Sequence, residues 1–116
     1  MLIVEDDYRI AEIHQNFLEE LDDVKIIGKA LNGEEAINIV SHKDVDLVLL
    51  DLYLPDILGE KLISILRKKK RDIDFIVISA ASEKEMVSKM IRSGIFDYII
   101  KPVMKKRLLN TVVKYM

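Results

Sequence analysis

Polar side chains that could do chemistry follow short apolar runs at four points of this sequence. Glu5, Asp6 and Asp7 follow Leu2–Val4, Asp51 follows Val45–Leu50, Ser79 follows Phe75–Ile78, and Lys101 follows Phe96–Ile100. In an open α/β sheet, ligands bind beyond the carboxyl ends of the parallel strands. If the apolar runs are such strands, their carboxylate, hydroxyl and ammonium groups meet at one edge and form one site.

The carboxylates of Glu5, Asp6 and Asp51 indicate a metal ion at that edge. Carboxylates this close repel one another unless a positive charge lies between them. Oxygen ligands without cysteine or a suitably placed histidine favour magnesium, which takes one or two carboxylates with waters and phosphate oxygens. The alternative is that residues 5–7 only begin a helix, where acids complement the helix dipole. Asp51 at the end of another strand makes the metal site the better interpretation.

Lys101 and Ser79 supply groups that complement the acids. Lys101 is a long cation that can reach a carboxylate or a phosphoryl oxygen at the same edge. Ser79 offers a hydroxyl that could donate to a bound anion. Each is an ordinary residue for a strand end when taken alone, so the prediction depends on their occurrence together with the acids.

The elements that must position these residues follow from two alternating periods. Apolar, β-branched runs indicate strands, and apolar residues at helical spacing indicate helices between them. Nearly continuous apolar runs are typical of a parallel sheet covered by helices on both faces. We therefore predict an α/β fold, a doubly wound five-stranded parallel sheet flanked by five helices. The predicted strands are Leu2–Val4, Val24–Ile27, Val45–Leu50, Phe75–Ile78 and Phe96–Ile100.

Local signals mark where several of the helices begin and end. Asn32-Gly33 precedes the second helix, and a capping box from Ser82 to Glu85 is predicted to open the fourth. Gly94 comes just past the end of that fourth helix. The basic run Arg67–Arg71 closes the third helix, where positive charge suits the negative end of the dipole.

Length and composition limit the function classes. With 116 residues, 18 Lys and Arg against 20 Asp and Glu, and no cysteine, the chain is predicted to be a single domain without disulfides or thiolate metal sites. A net charge of −2 disfavours electrostatic binding of the whole domain to nucleic acid. No apolar run approaches the roughly 20 residues that span a bilayer. His14 and His42 share no metal spacing, and we expect both to be structural.

Taken together, these residues resemble the receiver (phosphoacceptor) domain of two-component response regulators. The resemblance covers the whole chain. Within the family, Val77-Ile78-Ser79-Ala80-Ala81 and Asp51-Leu52-Tyr53-Leu54-Pro55-Asp56 resemble the regulators of citrate, malate and fumarate metabolism. It implies a flavodoxin-like fold with strand order 2-1-3-4-5. The positions that carry it are Glu5-Asp6, Asp51 with Pro55 and Gly59, Ser79-Ala80, and Tyr98 with Lys101-Pro102.

The resemblance implies a role for each residue of the site. Asp51 would accept a phosphoryl group from a phosphohistidine on a sensor histidine kinase. Mg²⁺ would be held by Glu5, Asp6, Asp51 and the backbone carbonyl of Tyr53. Lys101 would pair with Asp51 at rest and with a phosphoryl oxygen afterwards. The resemblance also implies that the Lys101–Pro102 peptide bond is cis.

The same resemblance implies how the signal leaves the site. Ser79 would move to donate to the new phosphoryl group, and Tyr98 would then turn inward. The surface that changes would be the face formed by the fourth helix, fifth strand and fifth helix, around Met90, Tyr98 and Lys106. Taken by themselves, Met86 and Met90 are better explained as core residues, and the Tyr98 hydroxyl as a group in water.

Partners and location are also expectations from the resemblance. Residues 1–116 would be the N-terminal receiver fragment of a longer cytoplasmic regulator that is not an enzyme. Phosphorylation would favour a homodimer, and control of transcription would use a DNA-binding domain absent from this chain, with no membrane contact.

Two other functions stay open. One is a magnesium-dependent phosphohydrolase of the haloacid dehalogenase kind, which also uses an aspartate at a strand end as nucleophile. That chemistry typically needs a second acid two residues further on, where this chain has Tyr53. The other is a receiver that binds partners without being phosphorylated, against which the retained Asp51, Ser79 and Lys101 argue.

Overall fold

A computed structural model describes residues 1–116 and contains one five-stranded parallel sheet. The strand order is β2-β1-β3-β4-β5, so the predicted doubly wound α/β fold is confirmed. The strands are β1 (Leu2–Val4), β2 (Gly28–Ala30), β3 (Leu47–Asp51), β4 (Asp74–Ser79) and β5 (Asp97–Ile100).

Five helices cover the two faces of the sheet. They are α1 (Tyr8–Leu18), α2 (Gly33–His42), α3 (Gly59–Lys69), α4 (Lys84–Arg92) and α5 (Lys105–Tyr115). Helices α2, α3 and α4 pack on one face, and α1 and α5 pack on the other. None of these helices is long and apolar enough to cross a membrane.

The central strand β3 shows why the apolar runs are nearly continuous. Its side chains alternate between the two faces, as in any strand. Val48 and Leu50 join the core under α2, α3 and α4, whereas Leu47 and Leu49 join the core under α1 and α5. Because both faces are covered, neither set can be polar, and only Asp51 at the end of the strand is free to carry charge.

The predicted position of the second strand is wrong by several residues. The structure places β2 at Gly28–Ala30, in register with Leu2–Val4, and not at the apolar run Val24–Ile27. Two residues of that run bond to Met1 just before β1: the Ile27 amide donates to the Met1 carbonyl at 2.9 Å, and the Lys25 carbonyl accepts from the Met1 amino group at 2.8 Å. The run is apolar because it packs against both cores at the edge of the sheet, and strand pairing is set by β1.

The helix signals are confirmed at α2 and at the end of α4. Asn32 caps α2, its side chain accepting from the Glu35 amide at 2.8 Å, and Gly94 after α4 has a φ of 92°. The capping box is wrong, because α4 begins at Lys84 after Glu83, which makes no side-chain cap bond. The loop before α4 is instead held at Ala81, which bonds to Ser79 and Tyr98.

Candidate functional site

The acids converge because β1 and β3 are neighbours. Val4 of β1 pairs with Leu50 of β3, so the residues that follow them share the carboxyl edge of the sheet. Carboxylate oxygens of Glu5, Asp6 and Asp51 all lie within 4.8 Å of one another. Glu5 and Asp51 are buried, whereas Asp6 is exposed. The predicted cluster is therefore formed by side chains from two strands.

Asp7, the third acid of the run, has a different part. Its carboxylate caps α1 by accepting from the Arg9 amide at 3.0 Å and the Ile10 amide at 3.4 Å. Its own amide donates to Glu5 Oε2 at 3.2 Å. The helix-start explanation of residues 5–7 thus holds for Asp7, while Glu5 and Asp6 face the site.

Lys101 reaches the acids from β5. Its Nζ lies 3.0 Å from Asp51 Oδ2 and 3.4 Å from Glu5 Oε1. The other Asp51 oxygen, Oδ1, accepts from the Tyr53 amide at 3.1 Å. Both oxygens of this buried carboxylate are therefore hydrogen-bonded, one to a cation and one to the backbone. The Lys101–Pro102 bond is cis, as the resemblance implied.

Burial and charge shift the ionisation of this cluster. Burial raises the pKa of Glu5 to about 7, against the opposing hydrogen bond from the Asp7 amide, and neighbouring Asp6 and Asp51 add to the rise. Burial by itself would lower the pKa of Lys101, but the hydrogen bond and charge of Asp51 outweigh it and leave that pKa raised. The lysine is thus held in its charged form.

The charge balance fits a divalent cation. Three carboxylates face a single ammonium group, so the fully ionised cluster keeps an excess of two negative charges. All its side-chain ligand atoms are oxygens, which Mg²⁺ prefers, and none is sulfur or imidazole. The residues present therefore suit Mg²⁺.

The side chains of Ser79 and Tyr98 both bond to the backbone of Ala81. Ser79 is fully buried, and its Oγ accepts from the Ala81 amide at 3.0 Å. The Tyr98 hydroxyl donates to the Ala81 carbonyl at 2.7 Å. Both bonds hold the loop between β4 and α4 against the sheet. Tyr98 already lies inward in this structure, and its hydroxyl is bonded rather than free in water, which corrects the simpler interpretation.

The loop between β3 and α3 closes tightly beside Asp51. Tyr53 and Leu58 form an antiparallel bridge, and the Gly59 amide donates to the Leu52 carbonyl at 2.8 Å. A Cβ at position 59 would lie only 2.7 Å from that carbonyl oxygen and 2.8 Å from the Leu52 Cα. Only glycine lets the first turn of α3 approach the loop this closely.

Comparison with known proteins decides the family. Residues 1–113 match the model of the response regulator receiver domain. The chain belongs to this family. The fold, the strand order and the cluster at the carboxyl edge all agree with that assignment.

Curated relatives of this receiver domain are transcriptional regulators. The transcriptional regulatory protein CitT of Bacillus subtilis is 40% identical over 97% of this chain. The probable C4-dicarboxylate response regulator DctR of the same organism is 37% identical over 99% of it. The chain spans about half the length of these relatives, 50% and 51% respectively.

Solved structures agree with the fold of the receiver domain. The CheX–CheY–BeF₃–Mg²⁺ complex of Borrelia burgdorferi contains a chain that superposes with a TM-score of 0.88 at 26% identity. The match covers 98% of this chain and 86% of that one. That complex contains Mg²⁺.

The predicted acids, Ser79 and Lys101 lie at the carboxyl edge of the sheet, whereas Tyr98 lies within β5, opposite Val77 of β4. Sequence reasoning missed two contacts. It gave no role to the Ala81 backbone or to Asp56, which bonds to α2. No pattern in the sequence could reveal the first, because every residue has an amide and a carbonyl. Of the residues named for the output face, Met90 is buried in the core, and Lys106 is exposed.

Neither histidine belongs to the cluster of possible metal ligands. His14 is buried in α1, and burial, followed by the charge of Lys101, lowers the pKa of its imidazole. His42 lies near the end of α2, with its Nδ1 2.8 Å from the Asn38 carbonyl. Both agree with the structural interpretation made from the sequence.

Proposed function

We propose that this receiver domain accepts a phosphoryl group on Asp51 from a phosphohistidine of a sensor histidine kinase. The observation that carries the proposal is the environment of the Asp51 carboxylate. It is buried at the end of the central strand, with the Lys101 ammonium on one oxygen and the Tyr53 amide on the other. These bonds orient a competent oxygen nucleophile towards the edge where the strands end.

The transfer needs little covalent chemistry from the protein. A bond forms between phosphorus and an Asp51 oxygen as the phosphorus–nitrogen bond of the donor breaks, and the donor imidazole leaves with the electron pair. Catalysis in such transfers is mainly positioning and charge neutralisation. Lys101, which contacts Asp51 at rest, is close enough to move onto a phosphoryl oxygen as charge arrives there.

We propose that Glu5, Asp6 and Asp51, with the Tyr53 backbone carbonyl, hold Mg²⁺. When bound, the ion would neutralise charge on the phosphoryl oxygens. The excess of two carboxylate charges supports this proposal, as does the Mg²⁺ in the Borrelia complex. Glu5 must release its proton for the full set of ligands to be charged.

We propose that Ser79 and Tyr98 transmit the change. A phosphoryl group on Asp51 offers the Ser79 hydroxyl a charged acceptor, which competes with its bond to the Ala81 amide. Any movement of Ala81 then alters the partner of the Tyr98 hydroxyl. This is a local charge event that biases a packing element with two arrangements. The output surface would be the face formed by α4, β5 and α5.

The wider role follows from the relatives. We propose that residues 1–116 act as the receiver part of a longer regulator that controls transcription through a separate DNA-binding domain. Homodimerisation on phosphorylation and a location in the cytoplasm belong to the same proposal, which rests on the family. The domain would assist its own phosphorylation without acting as a turnover enzyme.

The two alternatives are not favoured. The family match covers residues 1–113, and the curated relatives CitT and DctR are regulators, not phosphohydrolases. Two residues after Asp51, where such hydrolases carry an acid, Tyr53 is half exposed and offers no carboxylate. A receiver that works without phosphorylation would have no need for the arrangement around Asp51.

Intact mass after incubation with Mg²⁺ and acetyl phosphate tests the acceptor directly. We expect the wild type to gain one phosphoryl group, and Asp51→Asn and an EDTA-treated sample to gain none. Asp22→Asn, which changes an exposed aspartate in the turn after α1, is the matched control and should behave as the wild type. An adduct that persists in Asp51→Asn would refute the assignment.

A further inference from the structure

Asp56, in the loop that leads into α3, makes two hydrogen bonds to the start of α2. It lies in the β3–α3 loop, on the exposed surface, and its carboxylate accepts from two consecutive amides of α2. Oδ1 is 2.8 Å from the Gly33 nitrogen, and Oδ2 is 3.0 Å from the Glu34 nitrogen. The Gly33 amide bond holds the pKa of Asp56 below its ordinary value, so the carboxylate is charged near neutral pH.

The contact completes the start of α2. The first amides of any helix lack acceptors within the helix. Here the Glu35 amide bonds to the Asn32 side chain, and the Ala36 amide bonds to the Asn32 carbonyl as the first helical bond. The two remaining amides, at positions 33 and 34, are the ones that Asp56 accepts. The loop thus supplies acceptors that α2 does not provide for itself.

The steric fit confirms that the loop sits directly on α2. A Cβ at Gly33 would lie 2.2 Å from Ile57 Cγ2 and 3.3 Å from Asp56 Oδ1. Ile57 is partly buried and packs against the core under α2, α3 and α4. Glycine at the first position of α2 is therefore needed for the loop to approach the helix.

The other end of the same loop carries the groups beside Asp51. The bridge between Tyr53 and Leu58 closes its base, so a shift at the tip is passed to Tyr53 along only three residues. The Tyr53 amide bonds to Asp51 Oδ1, and its carbonyl is the backbone ligand proposed for Mg²⁺. The position of Tyr53 is thus fixed from both ends of the loop.

We propose that Asp56 is a positioning residue, which by binding the α2 amides holds the β3–α3 loop and thereby the Tyr53 peptide groups beside Asp51. The consequence for Mg²⁺ rests on the proposed function, whereas the hold on the loop does not. A residue that only capped α2 would affect the start of α2 and leave Tyr53 unchanged.

The test compares Asp56→Ala with the wild type by amide hydrogen exchange and by Mg²⁺ binding followed through NMR shifts. Without metal, we expect exchange at the Tyr53 and Gly59 amides to accelerate about tenfold, since these bonds would open locally more often. With metal, we expect the Mg²⁺ dissociation constant to rise about tenfold, as is usual when a group that orients a ligand is lost.

Gly33→Ala and Glu34→Gln separate the explanations. Alanine at position 33 keeps the amide that Asp56 accepts but pushes on Ile57 and so displaces the loop from α2. Faster exchange at Tyr53 in this variant supports the link from the loop tip to Tyr53, whereas unchanged exchange there contradicts it. Glu34→Gln removes a charge from the same helix start while keeping the amide that Asp56 accepts, and should match the wild type at Tyr53.

Each outcome has a clear meaning. If Asp56→Ala leaves the exchange at Tyr53 and Gly59 unchanged, Asp56 is only a cap and the proposal is wrong. If the wild type binds no Mg²⁺ while the exchange still responds to Asp56→Ala, the proposed metal site fails and the hold on the loop stands.

Discussion

The two loops that border the site are held by different kinds of bond. The β3–α3 loop is closed at its base by backbone groups, and its tip is anchored by the charged carboxylate of Asp56 on two amides. The β4–α4 loop is held at Ala81 by the hydroxyl groups of Ser79 and Tyr98. Helix α4, which follows it, begins without a side-chain cap.

The difference explains how one small site can both hold and respond. A bond between backbone groups cannot be lost by rotation of a side chain, whereas a hydroxyl changes partner by rotation about a single bond. The β3–α3 loop is therefore suited to holding the Tyr53 amide on the Asp51 carboxylate. The β4–α4 loop is suited to moving when a new acceptor appears.

The largest expected effect comes from opening the β3–α3 loop. Gly59→Ala places a Cβ 2.7 Å from the Leu52 carbonyl oxygen, so the backbone must shift, at a cost of about 2 to 3 kcal/mol in the free energy of unfolding. Urea denaturation measures this loss. Gly28→Ala is the control, because its Cβ would meet only side-chain ends at 3.4 Å and 3.7 Å, and its effect should stay within about 1 kcal/mol. Equal effects of the two substitutions would show that the loop is not tightly closed.

A smaller effect should follow from removing a bond that holds the β4–α4 loop. Tyr98→Phe removes the hydroxyl that donates to the Ala81 carbonyl, and we expect a loss of about 1 kcal/mol together with faster hydrogen exchange in residues 80–84. Tyr115→Phe removes a comparable hydroxyl bond, to the Asp46 carbonyl at 3.2 Å, at the opposite end of the sheet. Exchange in residues 80–84 should not respond to Tyr115→Phe. A response to both variants would mean that the Tyr98 bond has no special hold on the loop.

An effect of a different kind is a pH dependence confined to the acidic side of the site. Burial raises the pKa of Glu5 from 4.5 to about 7, so between these values the folded protein keeps a proton that the unfolded chain releases. In the absence of divalent ions, this contribution to stability is full below about pH 4.5 and is lost as the pH rises through about 7.

Urea denaturation of the wild type and Glu5→Gln between pH 5 and pH 8 isolates this contribution. The free energy of unfolding of the wild type, relative to that of Glu5→Gln, should fall as the pH rises. The Mg²⁺ affinity of the wild type should rise over the same interval, because the Glu5 carboxyl group ionises. The Tyr98 hydroxyl should not titrate in this interval, because burial raises its pKa above the ordinary value of 10. A difference that does not vary with pH would refute the raised pKa.

The acids and Lys101 could be predicted from the sequence because each follows an apolar run. Parallel strands bring their carboxyl ends to one edge, so residues at those ends are neighbours whatever their distance along the chain. The separation of Asp7 from Glu5 and Asp6 could not be predicted, because all three acids suit both a helix start and a metal site. Only the geometry of α1 assigns Asp7 to the cap.

The sequence by itself determined the α/β class, the number of strands and the polar groups at their ends, since burial on both faces leaves a clear apolar pattern. The tertiary structure decided the register of β2, the bonds to Ala81, and the contact of Asp56 with α2. Most of these features join groups far apart in the chain, and they mostly use backbone amides and carbonyls. Because every residue carries such groups, their pairing leaves no mark in the order of side chains.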